Sequence, residues 1–73
     1  MSKVKTVVVV NIGKLHSLLQ ATNWKAQFHD EGIFKIDNNT VRINLFQKDN
    51  VSSDDFRAWV KSVFSEREIK SMH

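Results

Sequence analysis

The chain has no cysteine, no proline and only two glycines among its 73 residues. Without cysteine it can form neither a disulfide framework nor a cysteine-ligated zinc site, which agrees with a reducing, intracellular setting. With only Gly13 and Gly32 it cannot form a glycine-rich loop that cradles phosphate groups. Stability must therefore come from packing, with the option of support from a second subunit.

Long apolar runs are also missing. Four valines at positions 7–10 follow two lysines, which is how an export signal begins. Asn11 and Lys14 interrupt this run too soon for the core of such a signal. No segment approaches the ~20 apolar residues of a membrane-spanning helix. We therefore expect a soluble, cytoplasmic protein with no membrane partner.

Size and charge restrict the classes of function further. A chain of 73 residues predicts one domain, and such a domain buries only about 60% of the surface that its unfolded chain exposes. A deep active-site cleft would have to be taken from an already small core. Eleven Lys and Arg residues against eight Asp and Glu give a formal charge of +3. This mildly basic balance permits binding to nucleic acid or to an acidic protein surface and requires neither.

The first predicted elements are a strand and a short helix. Residues 3–12 are rich in β-branched side chains and predict a strand. Its consecutive valines do not alternate with polar residues, so we expect a strand that is covered on both faces or that meets a partner. Asn11 is the expected N-cap of a helix over about 13–22, in which helical spacing is seen for Leu15, Leu18, Leu19 and Thr22.

Residues 24–45 predict a three-stranded antiparallel meander. The Asn38-Asn39 pair is a two-residue hairpin signal, because asparagine tolerates the positive φ that such turns need. This turn places Lys35 directly opposite Arg42 on the neighbouring strand. Residues 30–32 predict the preceding turn, with its glycine in the left-handed conformation.

The two predicted turns sort the side chains of the meander onto two faces. The apolar face is expected to hold Trp24, Ala26, Phe28, Phe34, Ile36, Val41, Ile43 and Leu45. The opposite, mostly basic face is expected to hold Lys25, Gln27, His29, Ile33, Lys35, Asp37, Thr40, Arg42 and Asn44. A slip of one residue would exchange the faces, so we expect the register to be well specified.

The last segment predicts a helix from Ser53 to about Lys70. Ser52 and Ser53 are N-cap candidates, and two aspartates follow in the first turn, where the helix dipole favours them. A buried stripe is predicted at Phe56, Trp59, Val60, Val63 and Phe64. The predicted fold is therefore α+β: a single small domain over 1–73, ordered β-α-β-β-β-α, with an antiparallel sheet and two helices packed on one face.

No group of side chains predicts catalysis. The triplet His29-Asp30-Glu31 is better explained as a polar β-turn, because adjacent residues there point in different directions. Asp54 and Asp55 are explained by the start of the helix. We therefore expect no enzyme, no metal, no cofactor and no small-molecule substrate.

Two hypotheses of function remain, and both use the open face of the sheet. The first is a small non-enzymatic interaction protein, acting as a regulator, inhibitor or assembly factor of the kind common in phages and mobile elements. It would bind a protein partner, or a second copy of itself, through the open face or an edge strand. Its candidate partner-binding residues are Val7, Val9, Ile33, Lys35 and Arg42.

The alternative is a nucleic-acid-binding module that contacts DNA or RNA backbones with its basic face. Its candidate residues are Lys3, Lys5, Lys25, His29, Lys35 and Arg42. The predicted face carries no aromatic side chain on which bases could stack, which argues against the way sheet-based proteins read single-stranded RNA. The sequence leaves open which macromolecule binds and whether the valine strand is central or at an edge.

Overall fold

The computed structural model describes residues 3–21, 24–27 and 32–73. Its elements are β1 (Lys5–Asn11), α1 (Ile12–Gln20), β2 (Ala26–Gln27), β3 (Ile33–Lys35), β4 (Thr40–Gln47), α2 (Ser53–Val63) and β5 (Ile69–Met72). The predicted class is confirmed, since the fold is α+β with one antiparallel sheet and two helices.

The strands β1 and β4 lie at the centre of the sheet and pair antiparallel. The strand β5 pairs with the other edge of β1, while β2 and β3 both pair with the outer edge of β4. With β2 and β3 counted as one interrupted strand, this is the split β-α-β arrangement of ferredoxin-like folds. That arrangement supports many unrelated functions, so the topology does not say what the chain binds.

The meander predicted for the middle of the chain is wrong in its pairing. The strand β2 pairs with the end of β4, and Ile33 of β3 lies opposite Ile43 of the same strand. Both strands thus pair with the same edge of β4, with positions 44 and 45 of β4 between the two sets of pairs, so β2 and β3 run in line instead of side by side. Gly32 does not take the positive φ expected of it.

The turn between β3 and β4 is wider than the predicted two-residue turn. None of the described residues has a positive φ, including Asn38 and Asn39. Instead, the Asp37 Oδ1 accepts a hydrogen bond from the backbone N–H of Asn39 at 2.8 Å. The carbonyl of Thr40 accepts from the N–H groups of Ile36 and Asp37. An aspartate side chain thus organises this turn, as is common in polar turns.

The wider turn shifts β3 by one residue against β4. Phe34, and not Lys35, lies opposite Arg42. Because side chains alternate between faces, this shift moves every β3 side chain to the other face. Phe34 and Ile36, predicted in the core, are 43% and 55% exposed. Ile33, predicted on the open face, packs against the core.

One side of the sheet, called the covered face below, forms a single apolar core with the inner sides of both helices. Its buried side chains are Val4, Val8, Val10, Leu15, Leu18, Ala26, Val41, Ile43, Leu45, Phe56, Val60 and Phe64. Trp24 and Trp59 pack at its margin, with their ring centroids 6.0 Å apart. No helix in the described ranges covers the other side.

Both helices begin at the residues expected from the sequence. The Asn11 Oδ1 accepts a hydrogen bond from the backbone N–H of Lys14 at 2.8 Å. The Ser52 Oγ accepts from the backbone N–H of Asp55 at 3.1 Å. These N-caps satisfy donors that the first helical turn leaves unpaired, and they fix where each helix leaves the sheet.

The helix α2 is shorter than predicted and is followed by a strand that was not predicted. It ends at Val63, and Phe64 takes an extended backbone conformation. The Glu68 Oε1 then accepts from the N–H of Ser65 at 2.8 Å, and the Glu68 N–H donates to the Ser65 carbonyl. This turn reverses the chain, so residues 69–72 pair with β1 and make the valine strand central.

Candidate binding surface on the open sheet face

The open face is the side of the sheet opposite the covered face. Its side chains come from alternate positions of each strand, since neighbours along a strand point to opposite sides. They are Lys5, Val7, Val9 and Asn11 of β1; Thr40, Arg42, Asn44 and Phe46 of β4; and Gln27, Phe34 and Ser71 of the outer strands. This set of side chains is the candidate site.

A cation and an aromatic ring lie together at one end of the open face. The guanidinium carbon of Arg42 is 4.6 Å from the centroid of the Phe34 ring. The two residues are direct partners across β3 and β4, and both are exposed. A cation over a ring face is attracted by about 0.5–1 kcal/mol at exposed sites. The pair therefore presents a flat ring and a planar cation to solvent.

A second cation–aromatic pair lies towards the other end of β4. The Nζ of Lys5 is 5.8 Å from the centroid of the Phe46 ring, and the two residues are partners across β1 and β4. Lys5 is exposed and Phe46 is half-buried. Phe46 is four positions along β4 from Arg42, which separates the two pairs by about 13 Å.

The surface between the two pairs carries no charged side chain and holds the valines of β1 beside the polar Asn44. Val7 lies opposite Asn44, and Val9 lies opposite Arg42. Both valines are half-buried on the open side, where the sequence analysis places them. Among the strand residues described on this face there is no carboxylate. The face is therefore basic at two points and neutral between them.

Two of the candidate residues lie elsewhere. Lys35 is opposite the buried Val41, so it belongs to the margin of the covered face, where it is exposed. The predicted neighbouring pair of Lys35 and Arg42 is therefore wrong. Ile33 packs against the core and does not contribute to the open face. Both corrections follow from the shift of β3 by one residue.

The remaining basic candidates are spread around the sheet. Lys3 is exposed and forms an ion pair with Asp49, directly after β4. Lys25 precedes β2 and is half-buried. His29 lies outside the described residues. Of the basic residues proposed to contact nucleic acid, Lys5 and Arg42 lie on the open face, in the two separate pairs described above.

Neither aromatic residue of the open face was assigned to it from the sequence. Phe46 could have been found, because the alternation along β4 that buries Leu45 places it on the same side as Arg42. Phe34 could not be assigned by alternation alone. Its facing depends on the width of the turn organised by Asp37.

Other classes of site and other proteins give no further assignment. Within the described ranges, no three His, Asp or Glu side chains form a group that could bind a metal ion. None of the described helices has the length and apolar character to cross a membrane. No protein-family model matches the sequence, and comparison with curated proteins and solved structures found no similar chain.

Proposed function

We propose that this chain is a non-enzymatic binding module that holds a macromolecular partner against the open face of its sheet. The observation that carries the proposal is the exposure of Phe34 beside Arg42. Aromatic side chains and arginine are enriched at protein interfaces, where a few of them carry most of the binding energy. The pair lies on a side of the sheet that neither helix covers.

The shape of the site favours a large partner. The open face extends over four strands from β3 to β5, which is a width of about 14 Å. Small molecules bind in concave sites that enclose most of their surface, whereas a sheet face offers a broad contact area. A module of this kind acts by covering its partner, as a regulator, inhibitor or assembly factor does. The lack of cysteine suits action in the cytoplasm.

The proposal is tested by removing the exposed pair and comparing the variant with a matched surface change. The test variant is Phe34→Ala/Arg42→Ala, and the control is Leu19→Ala, a 51% exposed apolar residue on α1. Each is immobilised and incubated with an extract of the host cell. We expect wild type and control to retain the same partner and the test variant to lose it. Equal retention by all three folded proteins, checked by circular dichroism, would refute the proposal.

A second copy of the chain is a specific candidate partner. Val7 and Val9 are half-buried and Ile36 is 55% exposed, so a face-to-face dimer would bury additional apolar surface. Light scattering after size exclusion tests this candidate. A dimer that Val9→Glu converts to a monomer would support it, and a wild-type monomer at high concentration would remove it.

A further inference from the structure

We infer that the partner is a single-stranded nucleic acid, with a base stacked on Phe34 and phosphates bound by Lys5 and Arg42. This inference rests on the proposed function and adds the chemical class of the partner. It differs from the expectation drawn from the sequence, where the lack of aromatic side chains on the open face argued against stacking.

The placement of the aromatic rings is the first ground. Sheet-based readers of single strands stack bases on aromatic side chains of an open face, and stacking tolerates any sequence because every base has a π-face. Phe34 is 43% exposed on β3 and provides such a side chain on the open face.

Charge complementarity is the second ground. Each ring has its own cation, with Arg42 4.6 Å from the Phe34 centroid and Lys5 5.8 Å from that of Phe46. A phosphate next to a stacked base thus meets a cation, and the arginine can bind it through two parallel hydrogen bonds. The described strand residues of this face include no carboxylate; the nearest described carboxylates are those of Asp37, beside Thr40, and Asp49, which is paired with Lys3.

The polar residue between the two pairs fits the same partner. Asn44 stands between Arg42 and Phe46 on β4, with Val7 opposite. Its side-chain amide has both donors and an acceptor, so it can hydrogen-bond the edge of an unpaired base. A duplex keeps its bases stacked internally and offers no base face to Phe34, whereas a single strand does, which favours the single strand.

The test is fluorescence anisotropy with labelled oligothymidine and oligouridine of about 12 nucleotides, alongside a duplex of equal length. We expect tighter binding to the single strands, with a log–log salt slope of about −1.4 for two phosphate contacts. Phe34→Ala should weaken binding roughly 5- to 100-fold, as expected for the loss of one stacked base. Arg42→Gln should make the salt slope shallower, while Leu19→Ala should bind like wild type.

The outcomes separate this inference from the proposed function. Failure of the wild type to bind either single strand at low salt, or a preference for the duplex, would overturn the inference. Equal weakening by Phe34→Ala and Leu19→Ala would overturn it as well. If the extract experiment still retains a protein after nuclease treatment, and the Phe34→Ala/Arg42→Ala variant loses it, the proposed function stands with a protein partner instead.

Discussion

The two faces of the sheet are built from the same strands and follow different rules. On β4, Ile43 and Leu45 of the covered face are fully buried, while Arg42 and Asn44 of the open face are exposed or half-buried. The covered face is apolar almost throughout, because each of its side chains is removed from water. The open face mixes rings, valines and cations. Burial thus selects the residues of the covered face, whereas the register of the β3–β4 hairpin decides whether Phe34 lies on the open face.

The largest expected change in folding stability comes from truncating a residue of the covered face, and its neighbour on the open face provides the comparison. Ile43→Ala should lower the free energy of unfolding by about 2–5 kcal/mol, because it leaves a cavity in the core. Arg42→Ala, one position away, should cost less than about 1 kcal/mol, since it removes one exposed cation–π contact. Urea unfolding measures both values. Similar losses from the two variants would break the distinction between the faces.

A smaller loss of folding stability is expected when a buried polar residue on the covered side is replaced. Gln47 is only 8% exposed, and its Oε1 accepts from the N–H of Val4 at 3.0 Å and the Oγ of Ser53 at 3.1 Å. Its Nε2 donates to the carbonyl of Val51. Gln47→Leu should cost about 1–3 kcal/mol, because it leaves buried backbone groups unpaired. An unchanged urea midpoint would show that the covered face needs no polar contact here.

At Thr6, a substitution is expected to raise the free energy of unfolding instead of lowering it. Its hydroxyl is fully buried on the covered face and has no hydrogen-bond partner among the described residues. Thr6→Val keeps the shape of the side chain and removes the unpaired group, so it should raise the free energy of unfolding by about 1 kcal/mol. Thermal unfolding followed by circular dichroism checks this gain. A lower melting temperature would mean that the hydroxyl contributes favourably.

The smallest expected effect depends on pH. Burial raises the pKa of Glu68, but hydrogen bonds from Lys14 and from the backbone N–H of Ser65 outweigh it and hold the pKa below the usual value of 4.5. Because the pKa is depressed in the folded state, the stabilisation is present above pH 4.5 and is lost as pH falls through the folded pKa. Urea unfolding between neutral and acidic pH should show this loss.

Glu68→Gln provides the matched control for the pH experiment. Its side-chain amide cannot take up a proton in this range as the Glu68 carboxylate does, so its unfolding free energy should fall less steeply below pH 4.5 than that of wild type. Other carboxylates, including Asp37, whose pKa is lowered by the N–H of Asn39, act in both proteins and cancel in the comparison. Parallel pH curves for the two proteins would assign the acid sensitivity elsewhere.

Much of the covered face could be predicted from the sequence, since it depends on local signals. The caps at Asn11 and Ser52, the helical stripe and the alternation along β4 are each set by neighbouring residues. The register of β3 could not be predicted in this way. Residues 36–40 are compatible both with a two-residue turn and with the wider turn that forms. The hydrogen bond from the Asn39 N–H to the Asp37 side chain stabilises the wider turn. The outward facing of Phe34 follows from that choice.

The strand β5 was not predicted, because the apolar pattern of α2 continues beyond the residue where the helix ends. Val63 and Phe64 continue the buried stripe of α2, so periodicity alone extends the helix. Ser65 and Glu68 have the spacing of a capping box, and the glutamate does bond the serine N–H. This signal of a chain reversal was present in the sequence. The pairing of Ile69 with Val8 depends on distant residues and could not be derived locally.

The position of β5 determines how the chain avoids aggregation. A valine-rich strand with a free edge is a template for pairing with other molecules, and β5 occupies that edge of β1. The strand itself is a poor template, because it is short, carries the exposed Lys70 and has an irregular register beside Val7. It is held by Lys14, which donates to Glu68 and to the Val63 carbonyl. We therefore expect that loss of this anchor would free the edge of β1 and make its valines available to pair with other chains.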